Sequence, residues 1–172
     1  TPEQTGALTT AQIRGLSNAQ LTLFDQSDFA ALSEQQIEAL SLDQIVDLGT
    51  ERLAGFSSSQ IQALTYDQIR AMSIEQIAAI ETPENPHLLP SQIAALTAAQ
   101  IVSLTTSQIA AFPEERISAL TTAQIKALTA EQIVALTSEQ IQQLSSTQFR
   151  AFTTAQIGVL EPADFASLSG SQ

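Results

Sequence analysis

The chain has 172 residues, of which 44% are hydrophobic and 5% aromatic, and its formal net charge is −12 at pH 7. The hydrophobic share predicts a folded protein, whereas six basic residues are too few for binding a nucleic-acid backbone, which needs clustered Lys and Arg. The absence of cysteine excludes a disulfide, a thiolate metal site and a Cys nucleophile. No apolar run reaches the length that spans a membrane, and no signal peptide is visible, so membrane insertion is not expected.

An eight-residue repeat runs through the whole sequence without a change of register. Every position that is a multiple of eight, from Leu8 to Leu168, is Leu, Phe, Met or Ile. A second apolar position lies three residues before each of these, as Ile13 does before Leu16, and it fails only at Thr5 and Asn85. The consensus is L-[ST]-x-x-Q-I-x-A, repeated about twenty-one times.

Each repeat carries the signals that begin a helix. In the segment 64–69, Thr65 is an N-cap, and Gln68 three residues later completes a capping box. Leu64 and Ile69 flank them as a hydrophobic staple. A strand does not fit because the apolar positions do not alternate. One continuous helix does not fit either, because its apolar stripe would drift by roughly 80° per repeat.

The charged residues and prolines support a new helix in every repeat. Sixteen of the eighteen Asp and Glu residues lie between the N-cap and the third helical position, and only Glu38 and Asp47 do not. Acidic groups at a helix start complement the helix dipole. Pro2, Pro90 and Pro162 lie at the first helical position, where a missing N–H costs nothing.

These patterns predict an all-α solenoid, a superhelical spiral of short capped helices with one helix per repeat, forming a single domain over residues 1–172. Because helices this short are unstable alone, their stability must come from stacking on neighbouring repeats. We expect three or four repeats per superhelical turn. We expect the Leu8-type and Ile13-type side chains to be buried throughout. The residues after each Ile, such as Arg14 and Lys126, should be exposed.

One repeat, at residues 79–92, is irregular. It contains three prolines, the only histidine and Asn85 in place of the expected Ile. The register of eight survives on both sides, which favours a degenerate, kinked repeat over a binding loop or hinge. His87 has no Cys partner, and nearby Glu81 and Glu84 are first-turn carboxylates, so a solvated histidine is expected rather than a metal or haem ligand.

The remaining polar patterns have capping as a sufficient explanation. Acids are paired at cap and third helical positions, in the pairs Asp25 and Asp28, Glu81 and Glu84, and Glu161 and Asp164. The glutamine row could form an exposed recognition ladder, but its Ser/Thr partners favour capping. Thr-Thr pairs such as Thr9-Thr10 could line a face that matches ice or a polysaccharide, but they do not occur in every repeat. We expect no catalytic residue, no cofactor-binding residue and no metal site.

The unit Leu120–Leu128, LTTAQIKAL, resembles the octapeptide arrays of very large bacterial secreted or cell-surface proteins, some of which are labelled haem utilization protein. The resemblance covers essentially the whole chain and implies a bacterial, exported, structural or adhesive setting. It does not imply haem binding, because the repeat supplies no axial ligand. The unit is also similar to the first helix of transcription activator-like effector repeats, but their second helix and base-reading loop are missing here.

The function expected from these observations is a non-enzymatic spacer within a larger bacterial extracellular or surface protein. The alternative is an interaction solenoid that binds a protein, a glycan or an ordered surface along one face. The expected partners are further copies of the repeat or the rest of a larger protein, and no nucleic acid. The start at Thr1 indicates a processed protein or an excised fragment. Leu168 remains in register without a capping helix, so we expect a longer array or end-to-end association.

Overall fold

The computed structural model describes residues 1–81 and 88–172, and every regular element in these two stretches is a helix. The chain divides into two compact units, Thr1–Ile80 and Glu81–Gln172. The predicted all-α fold is confirmed. The prediction of a single array over residues 1–172 stays a prediction, and residues 82–87 of the irregular repeat, with His87, lie outside the described residues.

The first unit contains ten short helices. Their bounds are α1 Pro2–Gly6, α2 Thr10–Gly15, α3 Asn18–Leu21, α4 Gln26–Ala30, α5 Glu34–Ala39, α6 Leu42–Val46, α7 Thr50–Leu53, α8 Ser58–Gln62, α9 Tyr66–Ala71 and α10 Ile74–Ile80.

The described part of the second unit contains ten more. Their bounds are α11 Pro90–Ala95, α12 Ala98–Ser103, α13 Thr106–Ala110, α14 Glu114–Ser118, α15 Thr122–Ala127, α16 Ala130–Val134, α17 Ser138–Gln142, α18 Ser146–Phe149, α19 Thr154–Ile157 and α20 Pro162–Ser167.

Each helix begins at the residue directly after the N-cap position of its repeat. At α9, the Thr65 side chain accepts from the Gln68 backbone N–H at 3.3 Å, and the Gln68 Oε1 accepts from the Thr65 N–H at 2.8 Å. The same reciprocal pair begins most of the other helices, and Pro2, Pro90 and Pro162 stand at the start of α1, α11 and α20. These bonds satisfy N–H groups that a helix start otherwise leaves without a partner.

Each unit is a solenoid in which a helix packs against the third helix after it. In the first unit α1 contacts α4, α2 contacts α5, and the pattern continues to α7 and α10. In the second unit it runs from α11 and α14 to α17 and α20. The side-chain hydrogen bonds that join neighbouring turns span 28 and 31 residues. One turn therefore takes about 28 residues, which is about three and a half repeats.

The core of each unit is an aliphatic spine made by the two apolar positions of the repeat. Ile13, Ile37 and Ile69 are fully buried, and Leu32 and Leu64 are 3% exposed. Arg14, Glu38, Arg70 and Lys126, which follow an Ile, are exposed as expected, whereas Ala94 after Ile93 is half-buried. Among the described residues, no helix is both long and apolar enough to cross a membrane.

The expectation that the spine is buried throughout is wrong at the two ends of the chain. The Leu-type residues Leu8, Leu16 and Phe24 are only half-buried, and at the other end Phe165 is 47% exposed. The physical reason is that a side chain in this fold is covered by the neighbouring turn, and the first and last turns each have a neighbour on one side only.

Candidate functional site: the buried glutamine ladder

The glutamine at the third helical position bridges two turns of the solenoid. At Gln68, Oε1 accepts from the Thr65 backbone N–H, which caps its own helix. Its Nε2 donates to the carbonyl oxygens of Ile37 at 3.0 Å and Leu40 at 2.8 Å, in the previous turn. The Gln68 side chain is 1% exposed. One amide group therefore fixes a helix start and ties it to the end of an earlier helix.

The same arrangement recurs in both units, and we call this set the glutamine ladder. Its members donate from Nε2 to backbone carbonyls 28 to 31 residues earlier. They are Gln36, Gln44, Gln60, Gln68 and Gln76 in the first unit, and Gln124, Gln132, Gln140, Gln148, Gln156 and Gln172 in the second.

The sequence predicted only one of the two roles of these glutamines. The capping role inferred from the Ser/Thr partners is present at each ladder member, but an exposed recognition ladder is not, because most of these glutamines are buried. The donor role was missed because it needs the length of a turn, which the eight-residue period does not contain. The available signal was the row's near invariance, since several other polar residues can also cap a helix.

Arg52 takes the glutamine position of its repeat and performs the same inter-turn role. Its Nε donates to the Phe24 carbonyl at 3.1 Å, 28 residues earlier, and its Nη2 donates to the Thr22 carbonyl at 3.0 Å. A guanidinium has several donors but no acceptor, so it can replace the inter-turn bond and not the cap. The N-cap of this helix is Gly49, which has no side chain to cap it either.

Arg116 takes the glutamine position of another repeat and pairs with a buried carboxylate. Its Nη1 lies 3.6 Å from Oε2 of Glu81, and the two side chains are 12% and 1% exposed. Burial lowers the pKa of the Arg116 guanidinium, and the Glu81 charge opposes that shift. Glu81 Oε1 also accepts from the Leu88 N–H, and Gln108 donates to the Glu81 carbonyl. The Glu81 side chain, which the sequence places at a cap position, is therefore buried inside the second unit.

Two of the acidic pairs that the sequence places at cap and third helical positions cap their helices. Asp28 N–H donates to Oδ1 of Asp25 at 3.0 Å, and Asp25 N–H donates to Oδ2 of Asp28 at 3.2 Å. The Ser27 hydroxyl and the Asp28 N–H lower the pKa of the Asp25 carboxyl. At the other end, Glu161 N–H donates to Asp164 at 2.9 Å. Glu84 lies outside the described residues.

Two departures from the consensus pair with each other in the first unit. Thr5 takes an Ile position yet is 5% exposed, and its hydroxyl donates to Oδ1 of Asp28 at 3.0 Å. Asp28 takes a glutamine position. The hydrogen bond between Thr5 and Asp28 therefore stands where other repeats have an apolar contact and a ladder bond. Within residues 1–81 and 88–172, no group of three His, Cys, Asp or Glu side chains could hold a metal ion. The expectation of no catalytic, cofactor or metal residue stays a prediction.

Two segments of the chain, residues 47–82 and 117–146, match the family model described as ALTTAQ repeat. A comparison with curated proteins found no match. The matched segments include Gln60, Gln68, Gln124 and Gln132, which belong to the glutamine ladder. The match supports a repeat family, and together with the helical fold it makes this chain a helical repeat protein.

Proposed function

We propose that the chain is a structural spacer, a non-enzymatic repeat segment of a larger bacterial extracellular or surface protein. The observation that carries this proposal is the glutamine ladder. The side-chain amides that recur from repeat to repeat point inward, where Gln44, Gln76 and Gln132 donate to backbone carbonyls of an earlier turn. The recurring polar residue of the repeat is thus occupied in holding the solenoid together.

The distribution of aromatic residues also supports a spacer over a binding solenoid. A binder is expected to gather its aromatic or charged departures on one exposed face. Phe56 and Phe112 are 5% and 3% exposed, because they stand at Leu positions of the spine. Tyr66 and Val134 are more than half exposed, but single exposed apolar residues are normal on a protein surface.

The bacterial and exported setting rests on the resemblance of the octapeptide to arrays in large secreted or surface proteins. The non-enzymatic part rests on composition, since the chain has no cysteine and one histidine. Such a set provides no nucleophile with a neighbouring base. The net charge of −12 supports the exclusion of nucleic acid as a partner.

A resurfaced chain tests the spacer against the alternative that one face binds a protein or a glycan. The residues at the two positions before each glutamine and at the position after each Ile would be permuted among repeats, except Arg14, Asn18 and Ser138, which hydrogen-bond to another turn. The composition, the caps, the ladder and the spine stay unchanged. The native and resurfaced chains would then be compared on a glycan array and against extracellular protein extracts, with thermal unfolding as the control for folding.

For a spacer we expect equal melting temperatures and equal background binding for the two chains, because the permuted residues lie outside the spine, the caps and the ladder. A glycan or protein retained by the native chain and lost by the equally stable resurfaced chain would contradict the proposal. It would establish the interaction solenoid in its place.

A further inference from the structure

The contacts that join different turns within a unit reach only the adjacent turn. The ladder glutamines donate to carbonyls 28 to 31 residues earlier. Inter-turn bonds outside the ladder span similar distances, such as that from Arg14 Nε to the Ala39 carbonyl, 25 residues later. The helices follow the same rule, since each packs against the third helix before or after it. Within a unit, a turn is therefore held by its immediate neighbours.

Three ladder positions join each turn of the first unit to the turn before it. We take residues 1–28, 29–56 and 57–80 as the three turns of this unit and call each contact between successive turns a junction. The ladder positions are Gln36, Gln44 and Arg52 at the first junction and Gln60, Gln68 and Gln76 at the second. The aliphatic spine packs beside these bonds. Each junction is thus a similar, separate set of contacts.

The information that winds a turn is local. The N-cap side chain and the glutamine that begin a helix lie three residues apart, as Thr65 and Gln68 do in α9. The described residues contain no positive φ, so the corners between helices use ordinary backbone conformations. The chain has no cysteine, so no disulfide closes a turn. A released segment can therefore reform its helices without a rare backbone state or a covalent step.

An intact turn also provides a template for a released one. Forming the first turn of an isolated short helix is unfavourable, because several backbone dihedrals are fixed for one hydrogen bond. Beside an intact turn, buried carbonyls such as those of Ile37 and Leu40 already stand where a ladder amide binds. Contacts of short sequence separation also close quickly. Rewinding onto a neighbour is therefore expected to be fast.

We propose that the chain is an extensible spacer, which releases length turn by turn under tension and winds up again when the tension falls. The proposal rests on the spacer function proposed above and adds how the spacer responds to load. One junction can break while the others remain intact, because contacts within a unit do not reach beyond the adjacent turn.

The size of each release separates this behaviour from all-or-none unfolding. One turn of about 28 residues adds up to about 90–100 Å of extended chain, at about 3.3–3.6 Å per residue. The first unit, Thr1–Ile80, would add roughly 260–290 Å if it unfolded as a whole. The two outcomes differ almost threefold in contour length.

Pulling the full chain slowly between DNA handles in optical tweezers tests the proposal. Gln68→Glu removes the donor to the Ile37 and Leu40 carbonyls, and Gln148→Glu removes the donor to the Leu120 carbonyl in the second unit. Gln148 is only half-buried, so this variant is expected to fold even if Gln68→Glu does not. Gln35→Glu is the matched control, because it makes the same change at an exposed position outside the ladder. Circular dichroism without load checks that each variant folds.

We expect the native chain to lengthen in releases of one turn or less and to rewind at nearly the force at which it unwinds. Junctions bear the load in series, so the weakest breaks first. Each folded junction variant should therefore lower the force of the first release and leave later releases near native values. The control should leave all of them unchanged.

A single release of roughly 260–290 Å would overturn the proposal, as would rewinding only after the force has fallen severalfold. A control that lowers the first release as much as the junction variants would also contradict it. The spacer function is tested separately. A chain that unfolds in one step yet binds nothing would remain a spacer, whereas a ligand lost on resurfacing would contradict the spacer function whatever the pulling shows.

Discussion

At the residue scale, glutamine suits the third helical position because its side chain ends in both an acceptor and a donor group. The acceptor satisfies the N–H of the cap residue, and the donor satisfies carbonyls at the end of an earlier helix, as Gln140 does for Phe112 at 2.7 Å. Glutamate could supply only the first bond and arginine only the second. Where another residue takes the glutamine position, only one of these two bonds remains. Arg52 retains the bond to the previous turn, and Asp28 retains the cap bond.

The buried pair of Arg116 and Glu81 gives a prediction at this scale. Arg116→Met should lower the free energy of unfolding by about 3–5 kcal/mol, because it leaves the Glu81 carboxylate buried without its cation. Glu81→Gln in the Arg116→Met background should recover much of this loss, since an amide can still accept from Leu88 N–H. Urea unfolding of the single and double variants measures both effects.

The control for this prediction is Arg70→Met, which removes an exposed arginine that lies over the Tyr66 ring. This variant should cost less than about 1 kcal/mol. If Arg116→Met cost no more than this control, the pair at Glu81 would not be a buried structural contact.

At the element scale, helices of four to seven residues exist here because both of their ends are satisfied by bonds encoded in the repeat. Such helices are unstable in isolation, since the first turn must be nucleated at a loss of backbone entropy. The caps fix where each helix begins, and contact with the third helix along supplies the packing. The eight-residue period therefore determines where each helix begins, while the turn of about 28 residues determines which helices pack against one another.

The caps lead to a prediction for α9. Thr65→Ala should destabilise the chain by about 1 kcal/mol, because the Gln68 N–H loses its side-chain acceptor. Thr65→Ser is the matched control, since it also removes the methyl group but retains the hydroxyl, and it should cost clearly less. Equal melting temperatures for the two variants would show that this cap contributes nothing measurable.

Local signals made the helices predictable from the sequence, whereas the bonds between turns were not predictable. The cap Thr65, the partner Gln68 and the staple of Leu64 and Ile69 all lie within six residues, so one repeat contains the full instruction for its own helix. The contact between Arg116 and Glu81 joins residues of different repeats, and its register follows from the number of repeats per turn. Nothing in the octapeptide states that number.

At the scale of the whole molecule, stability is expected to depend on neighbours on both sides of a turn. The backbone bonds within a helix are alike throughout, as Ile13 N–H to Thr9 at 3.0 Å and Ile69 N–H to Thr65 at 3.0 Å illustrate. Local structure alone would therefore give equal protection along the chain. Stacking predicts less protection at the ends, where the spine is partly uncovered.

Hydrogen exchange at a concentration where the chain is monomeric checks this prediction. Amides of α2 and of α19 should exchange markedly faster than those of α5 and α15, which have a turn on both sides. Uniform protection from the first turn to the last would mean that each helix is stabilised locally.

The claim that the inward glutamine bonds hold successive turns together is tested most directly by urea unfolding of Gln68→Glu beside Gln12→Glu. Both variants keep a side-chain oxygen that accepts from the backbone N–H of the N-cap threonine. In the native chain only Gln68 also donates to buried carbonyls, those of Ile37 and Leu40.

We expect Gln68→Glu to lose about 3 kcal/mol or more at neutral pH and Gln12→Glu less than about 0.5 kcal/mol. Burial should raise the pKa of the new carboxyl in the folded chain above its unfolded value of about 4.3. Its protonated form can donate again, so the loss at Gln68→Glu should shrink as the pH falls through that raised pKa. Equal small losses for both variants, unchanged by pH, would contradict a solenoid held by its glutamine ladder.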